Sequence, residues 1–308
     1  MPAVLITGGT GLIGTALQKA LLAKGYQVIV LSRNRNNIKS NQLSVRYSKW
    51  DIKKHYIEQE AIRRADYIIH LAGANVANGR WTKKRKKEIE ESRVLSGALL
   101  VKALHETENN VKAVLSASAI GWYGPDPVVP NPQPFKETHP SYNDFLGTTC
   151  KSWEQAIHPV SDSGRRLVIL RTGIVLSRQG GAYTEFRKPL NFGLSAILGN
   201  GKQMISWIHI DDLVRLYITA IENKNLNGVY NAVAPFPVNN EQLMSTISEI
   251  KKGFSIPFRI PEFALRIVLG EMSTEVLKST TVSNEKIVKE GFDFLYPDIN
   301  SAIRQLEE

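Results

Sequence analysis

The sequence predicts an α/β fold, a doubly wound parallel sheet with a smaller, mostly C-terminal lobe. Three observations carry this. Residues 3–31 read as strand, glycine turn, helix and strand. Further short apolar runs, at 42–47, 65–73, 111–118, 165–171 and 228–233, recur along the chain with helical stretches between several of them, the pattern of a sheet whose strands are joined by helices. Glycine breaks at 180, 181, 193, 199 and 201, and proline punctuation beyond 235, interrupt that alternation and mark the material of the second lobe. The boundaries read as 1–173 with about 206–233 for the sheet domain, and about 174–205 with 234–308 for the lobe.

The first unit organises the rest. Ala3–Thr7 is a short apolar run with β-branched members, Leu12–Lys24 places Leu17, Leu21 and Leu22 at helical spacing, and Gln27–Leu31 is a second apolar run. Thr7-Gly8-Gly9-Thr10-Gly11-Leu12-Ile13-Gly14 joins strand to helix, where backbone N–H groups and the positive end of the helix can face a pyrophosphate. Gly8 permits the turn, Gly11 lets phosphates approach the backbone, and Gly14 lets the helix lie close to the strand. The spacing is Gly-x-x-Gly-x-x-Gly, whereas the usual dinucleotide motif is Gly-x-Gly-x-x-Gly, so the strand–helix–strand context decides between a Rossmann-type site and a bare structural turn. Ser32-Arg33-Asn34-Arg35-Asn36 follows the second strand. It holds no acid for ribose hydroxyls, and Arg33 and Arg35 suit a 2′-phosphate, so NADP(H) is expected over NAD(H); two exposed loop arginines are the plainer alternative.

Composition narrows the function classes. In 308 residues, 43% are hydrophobic and 22% charged, ordinary for a soluble globular protein. Cys150 is the single cysteine, which excludes an internal disulfide and a cysteine-rich metal site. No apolar run approaches the ~20 residues that span a bilayer, and the first strand begins too early to leave room for a signal peptide, so cytoplasm is expected and membrane is not. The formal charge of +10 suits an anionic small ligand or simple solubility. Nucleic acid is the weaker reading, because Lys83-Lys84-Arg85-Lys86-Lys87 runs directly into Glu88, Glu90 and Glu91 without stacking aromatics.

The Thr7–Gly14 segment resembles the cofactor loop of the extended short-chain dehydrogenase/reductases, the group containing nucleotide-sugar epimerases. That resemblance implies an adenine contact at Asp51, just beyond the third strand. The fourth strand ends in Leu71, Ala72 and Gly73, small enough at its close for a cofactor to lie across it; His70 reads as a packed strand residue. The helix from Lys83 to His105, with Ile89, Val94, Leu95, Leu99, Leu100 and Leu104 inward, carries Arg93, which borders the cofactor in the resembled proteins and could equally be surface charge. Ser118 matches the catalytic position at the end of the fifth strand and Tyr123-Gly124 the Tyr-Gly pair after it, so Ser118 and Tyr123 are the catalytic candidates; a strand-end serine satisfying backbone competes with this. Residues 125–140 hold six prolines and read as a surface loop near the substrate opening. Backbone at Thr172 and Gly173 would reach the nicotinamide end.

One departure dominates. The resembled enzymes carry Tyr-x-x-x-Lys on the next helix, and no tyrosine in this chain has lysine four residues later. Aligned on Glu154, that helix puts Leu146 and Cys150 at those positions, and neither suits proton transfer. Taken with Gly73-Ala74-Asn75, Arg80-Trp81, Ser118 to Gly124, Phe145 to Glu154, Arg171 to Leu176 and Ser206 to Leu213, the chain resembles throughout the atypical "epimerase family protein" group (SDR39U1-like or YfcH-like), which also lacks the pair. The resemblance implies NADP(H) and leaves the reaction open. The expected function is an NADP(H)-binding oxidoreductase or epimerase-like protein acting on a small molecule, with a cofactor-binding sensor as the alternative. Asp211 and Asp212 read as acids at a helix start, and no metal is expected. A homodimer is compatible with the sequence, which carries no signal for oligomeric state.

Overall fold

The computed structural model describes residues 1–33, 45–251 and 255–308. Arg35 and the start of the expected third strand lie outside the described residues. Eight strands form the main sheet: β1 Ala3–Thr7, β2 Gln27–Ser32, β3 Val45–Asp51, β4 Tyr56–Ile57, β5 Tyr67–His70, β6 Ala113–Ala119, β7 Arg166–Thr172 and β8 Gly228–Ala232. Their order is β8-β7-β6-β5-β1-β2-β3-β4, all pairs parallel except the β3–β4 edge. The chain winds outward from β1 through β2 and β3, then crosses back to β5 and winds the other way. The reversal between β1 and β5 is a topological switch point, and the crevice outside the carboxyl ends of those strands is where open α/β sheets bind ligands.

Two details depart from expectation. Strand β3 continues to Asp51, so Trp50 and Asp51 are strand residues paired with Ile57 and Tyr56. The two-residue strand β4 is too short for period-2 alternation to show in sequence.

Each face of the sheet is covered. Val4 and Ile6 of β1 join Val28 and Val30 under helices α1 (Leu12–Ala23) and α4 (Ile210–Glu222), while Ala3, Leu5 and Ile29 pack with α2 (Lys83–Glu106) and α3 (Phe145–Ile157). Alternation along a strand, with both faces apolar, is why β1 reads as a continuous hydrophobic run. Leu17 and Leu21 of α1 are fully buried, and each contributes about 1.5–3 kcal/mol. On α2, Ile89, Leu99, Leu100 and Leu104 are buried as expected, whereas Val94 is half-buried and Leu95 is 39% exposed. The stripe through 89, 93, 96–97, 100 and 104 follows i, i+3/i+4 spacing, and Leu95 lies off it.

Beyond β7 the chain builds a second core. Tyr183, Trp207, Leu243, Met244, Ile247 and Ile303 are among its members. Ile174–Leu176 pairs in parallel with Trp207–His209, and Leu194–Leu198 with Ile256–Ile260. Successive residues of one strand serve both cores: Trp207 enters the second, Ile208 the first.

Candidate functional site

The turn after β1 is shaped by contacts that only glycine allows. Gly8 has φ +68°, and a Cβ on it would lie 2.9 Å from the Leu71 carbonyl carbon. A Cβ on Gly14 would lie 2.4 Å from Gly8 O and 2.6 Å from Gly9 Cα, so Gly14 brings α1 against the turn itself more than against the strand. Gly11 N–H donates to Gly8 O (3.0 Å), and Gly11 N-caps α1 without a side-chain bond. A Cβ on Gly11 would meet only Gly8 O, at 3.3 Å; its other directions are open, and both Thr10 and Gly11 are exposed. The first-turn N–H groups of Leu12 and Ile13 have no intrahelical acceptor. An open backbone cradle at a helix N-terminus fits a pyrophosphate.

The floor beside it is neutral and buried. Thr7 Oγ1 accepts N–H from Leu71 (3.1 Å) and Ala72 (3.2 Å), which leaves its proton for His70 Nδ1 at 2.8 Å. His70 Nε2–H then faces Ser96 Oγ (3.3 Å), whose own proton goes to Arg93 O (3.0 Å). Burial drives the His70 pKa down to about 4, so the ring is neutral, a packed strand residue as the sequence suggests. Gly73 is exposed, and a Cβ there would lie 3.0 Å from Arg93 Cζ. Arg93 donates to Ala74 O (3.0 Å) and Ile89 O (2.9 Å) and sits 4.9 Å from the Trp153 ring centre; it is half-buried, and desolvation lowers its pKa. It therefore ties the loop after β5 to α2 and is not loose surface charge.

At the carboxyl end of β2, Ser32 closes the strand and Arg33 follows it, exposed. Asp51 ends β3, and its carboxylate accepts Lys54 N–H at 3.2 Å. At the other end, Gly173 N–H donates to Ala232 O (3.1 Å), leaving its carbonyl but not its N–H for a ligand. Gly173 has no room for a side chain, since a Cβ would stand 2.5 Å from Ser206 O. Thr172 Oγ1 donates to Leu170 O at 3.3 Å. The turn at Gly180–Gly181 sits over Leu12: a Cβ on Gly181 would lie 3.3 Å from its side chain.

The end of β6 is ionic underneath. Ser118 Oγ donates to Glu154 Oε1 (2.6 Å). Arg171 holds the same carboxylate with two bonds, Nε to Oε1 at 2.8 Å and Nη2 to Oε2 at 2.9 Å. Arg171 Nη1 also donates to Tyr123 OH (3.1 Å), and Tyr123 donates to Asn231 Oδ1 (2.7 Å). Arg171 lies 3.6 Å from the Trp122 ring centre. Burial pushes the Tyr123 phenol up to about 12, while the adjoining guanidinium and hydrogen bonds oppose that shift. Ser118, Tyr123, Glu154, Arg171 and Asn231 are all buried. The protons of Ser118 and Tyr123 are thus directed into the network, and neither reaches a substrate without breaking a buried bond. Cys150 is no substitute base: burial pushes its thiol up to about 12. Leu146 packs over Gly121, whose Cβ would come 3.1 Å from Leu146 Cβ.

Residues 4–232 match the model of the NAD dependent epimerase/dehydratase family, and residues 260–306 match a domain of unknown function, DUF1731. The chain belongs to the NAD dependent epimerase/dehydratase family. An epimerase family protein of Staphylococcus saprophyticus is 34% identical over 302 residues, 98% of each chain. The solved structure of human epimerase family protein SDR39U1 (isoform 2) with NADPH is similar at TM-score 0.86 and 28% identity, covering 99% of both chains. A nucleoside-diphosphate sugar epimerase from Corynebacterium glutamicum shares 31% identity at TM-score 0.75, over 98% of this chain and 57% of that one. The pairing of the two matched regions places the chain with the SDR39U1-like epimerase family proteins.

Within this epimerase-family fold, sequence reasoning did not assemble the Glu154–Arg171–Asn231 cluster. A signal existed: Arg171 interrupts the apolar run of β7, and Glu154 sits on the buried side of α3. Asp126 was missed as well. Its carboxylate accepts from Asn131 Nδ2, Thr281 N, Ser279 Oγ and Thr281 Oγ1 at 2.8–3.1 Å, so the proline-rich loop is clamped onto residues 279–281. Asp212, buried at the start of α4, accepts N–H from Leu295 (2.8 Å) and Tyr296 (2.9 Å), and Arg215 Nη1 reaches it at 3.1 Å.

Proposed function

We infer that the chain binds NADP(H) across the switch point and acts as an oxidoreductase on a small molecule, with residues 174–205 and 234–308 forming the substrate side. The observation that carries the cofactor preference is Arg33, exposed at the carboxyl end of β2 beside the glycine cradle, with no acidic residue in the sequence from Ser32 to Asn36. A guanidinium there can grip a 2′-phosphate, whereas an acid would grip ribose hydroxyls. Leu12 and Ile13 N–H would hold the pyrophosphate, and the Leu71–Gly73 backbone would border the nicotinamide half. Bound there, the cofactor supplies or accepts a hydride. The NADPH named in the human relative's structure supports the same reading. Among the described residues no helix is long and apolar enough to cross a membrane, which is compatible with a cytoplasmic site of action.

Fluorescence titration tests this. NADPH should bind about 10–100-fold more tightly than NADH, the worth of one charge-assisted phosphate contact. Arg33→Asp should erase the preference. Equal affinity for both cofactors in the unaltered protein would remove the argument. A sensor without turnover is the second reading, favoured by the buried bonds of Ser118 and Tyr123. It predicts NADPH binding with no oxidation by any acceptor.

A further inference from the structure

Two guanidiniums of α2 hold the loop after β5, and only one of them has a counter-ion. Arg85 Nη2 donates to Asn75 O, and Arg93 Nη1 donates to Ala74 O (3.0 Å) and Ile89 O (2.9 Å). Arg85 is paired with Glu88, Nη1 to Oε2 at 2.6 Å. Among the described residues Arg93 has no carboxylate partner; burial lowers its pKa, and the like charge of Arg85 works in the same direction. Arg166 also lacks a carboxylate, but its bonds run to Ala220 O, Ile221 O and Leu226 O, at and just past the last turn of α4, where the helix dipole offsets a cation. Arg93 has no such compensation.

Most of its donors are also unused. A guanidinium carries five N–H groups, and the loop and helix take only those of Nη1. Nε and Nη2 have no acceptor among the described residues, and neither is sealed from solvent. Beside them, the Trp153 ring centre lies 4.9 Å from Arg93 Cζ, and the buried Trp153 Nε1–H has no acceptor either. Buried donors are nearly always satisfied, so this cluster lacks a partner.

The cluster borders the crevice. A Cβ on Gly8 would lie 3.1 Å from Ala72 N, so the segment after β5 walls the glycine cradle. Gly73, next along, is exposed, and a Cβ there would lie 3.0 Å from Arg93 Cζ and 3.3 Å from Nε. Trp153 comes from α3, the helix that follows β6. Arg93 therefore stands where the loop from β5 meets that helix, one strand over from the turn after β1.

We propose that Arg93 is an oxyanion anchor, whose free Nε and Nη2 edge takes a phosphate or carboxylate seated beside Gly73. That edge of the planar guanidinium matches two oxygens of either group. Gly73 keeps it clear, since any side chain there would crowd Nε. The anchor is separate from Arg33 and the 2′-phosphate. Two sources supply such a group: the cofactor, through its pyrophosphate, or a second small molecule carrying an acid. The first source rests on the NADP(H) reading above; the anchor itself does not.

The test compares the unaltered protein with three variants at constant ionic strength. Arg93→Gln removes the charge, Arg93→Lys keeps it without the planar edge, and Lys84→Gln removes an exposed charge from the same helix. Tryptophan fluorescence follows titration with NADPH, and with oxalate in the presence and absence of NADP+. Arg93→Gln should weaken NADPH or oxalate by about 10–100-fold, the worth of a charge-assisted contact. Arg93→Lys should recover at least threefold of that loss, and Lys84→Gln should match the unaltered protein. Loss of NADPH affinity assigns the oxyanion to the cofactor's pyrophosphate. Loss of oxalate with NADPH unchanged assigns it to a separate acid. Arg93→Met, which fills similar space without charge, stands in should the glutamine variant fail to fold. Affinities for both ligands within threefold of the unaltered protein would overturn the proposal and leave Arg93 a structural tie, as would an equal loss in Lys84→Gln or no recovery in Arg93→Lys. If NADPH does not bind the unaltered protein, the preceding reading fails by itself, and oxalate without cofactor still decides on the anchor.

Discussion

The turn after β1 and the segment after β6 both leave the carboxyl end of a central strand, yet they are held by different forces. The first is backbone against backbone: Gly8 at φ +68°, Gly14 against Gly8 O and Gly9 Cα, and a neutral His70 below, bridged by Thr7. The second is charge against charge: Arg171 gripping Glu154, with Ser118, Tyr123 and Asn231 filling the remaining hydrogen-bond sites. A neutral backbone cradle presents its N–H groups upward to a ligand. A satisfied ion-pair network presents nothing, because its donors and acceptors face one another. The contrast predicts that one end of the crevice binds by polar recognition and the other by shape.

The sharpest way to break the contrast is to remove one charge at the β6 end. Glu154→Gln leaves the buried Arg171 guanidinium without its counter-ion and should destabilise the fold by about 3–5 kcal/mol, measured by urea unfolding. Replacing both partners, Glu154→Met with Arg171→Leu, should recover most of that loss, since well-packed apolar groups of similar volume often match a buried pair. If Glu154→Gln changes stability by less than about 1 kcal/mol, the pair is not the support that its burial implies.

The floor under the glycine turn gives the next largest effect, through pH. His70 titrates near 4 when folded because burial disfavours its charged form, against an ordinary value of 6.5. Its folded pKa is therefore below the unfolded one, and the unfolded chain binds the extra proton between those values. Stability is fully present above pH 6.5 and falls as the pH drops toward 4, by about 3 kcal/mol in total. His70→Gln keeps an acceptor and a donor on the same side chain but does not titrate. The difference in unfolding free energy between the two proteins should therefore slope across this window and be flat above it. A flat difference throughout would mean that the ring titrates alike in the folded and unfolded chains, so that burial does not hold it neutral.

Legibility in the sequence follows the same division. The strand–turn–helix unit and the glycine spacing are encoded in residues a few positions apart, so Thr7–Gly14, α1, α2 and the acidic start of α4 are readable directly. The Glu154–Arg171 pair spans 17 positions and Tyr123–Asn231 spans 108, and no local period records which charged residues meet. Position alone made Ser118 and Tyr123 look available. Asp126 shows the same blindness: six prolines mark its segment as irregular, but not that its carboxylate clamps Ser279 and Thr281. The β3–β4 hairpin was lost for a different reason, a two-residue strand being shorter than any pattern.

Ser118→Ala is the smallest perturbation and the most discriminating. Glu154 Oε1 keeps the Arg171 Nε bond when the serine hydroxyl is removed, so the carboxylate stays paired and the fold should lose only about 1–2 kcal/mol. A serine that positions or protonates substrate would behave otherwise: its loss should lower single-turnover NADPH oxidation by about 100-fold or more. Because its proton is held by Glu154, the expected result is a rate within threefold of the unaltered protein, together with the small drop in stability. A large rate loss at unchanged stability would show that the Ser118–Glu154 bond opens when substrate arrives, and that the β6 end, like the glycine turn, works through polar recognition.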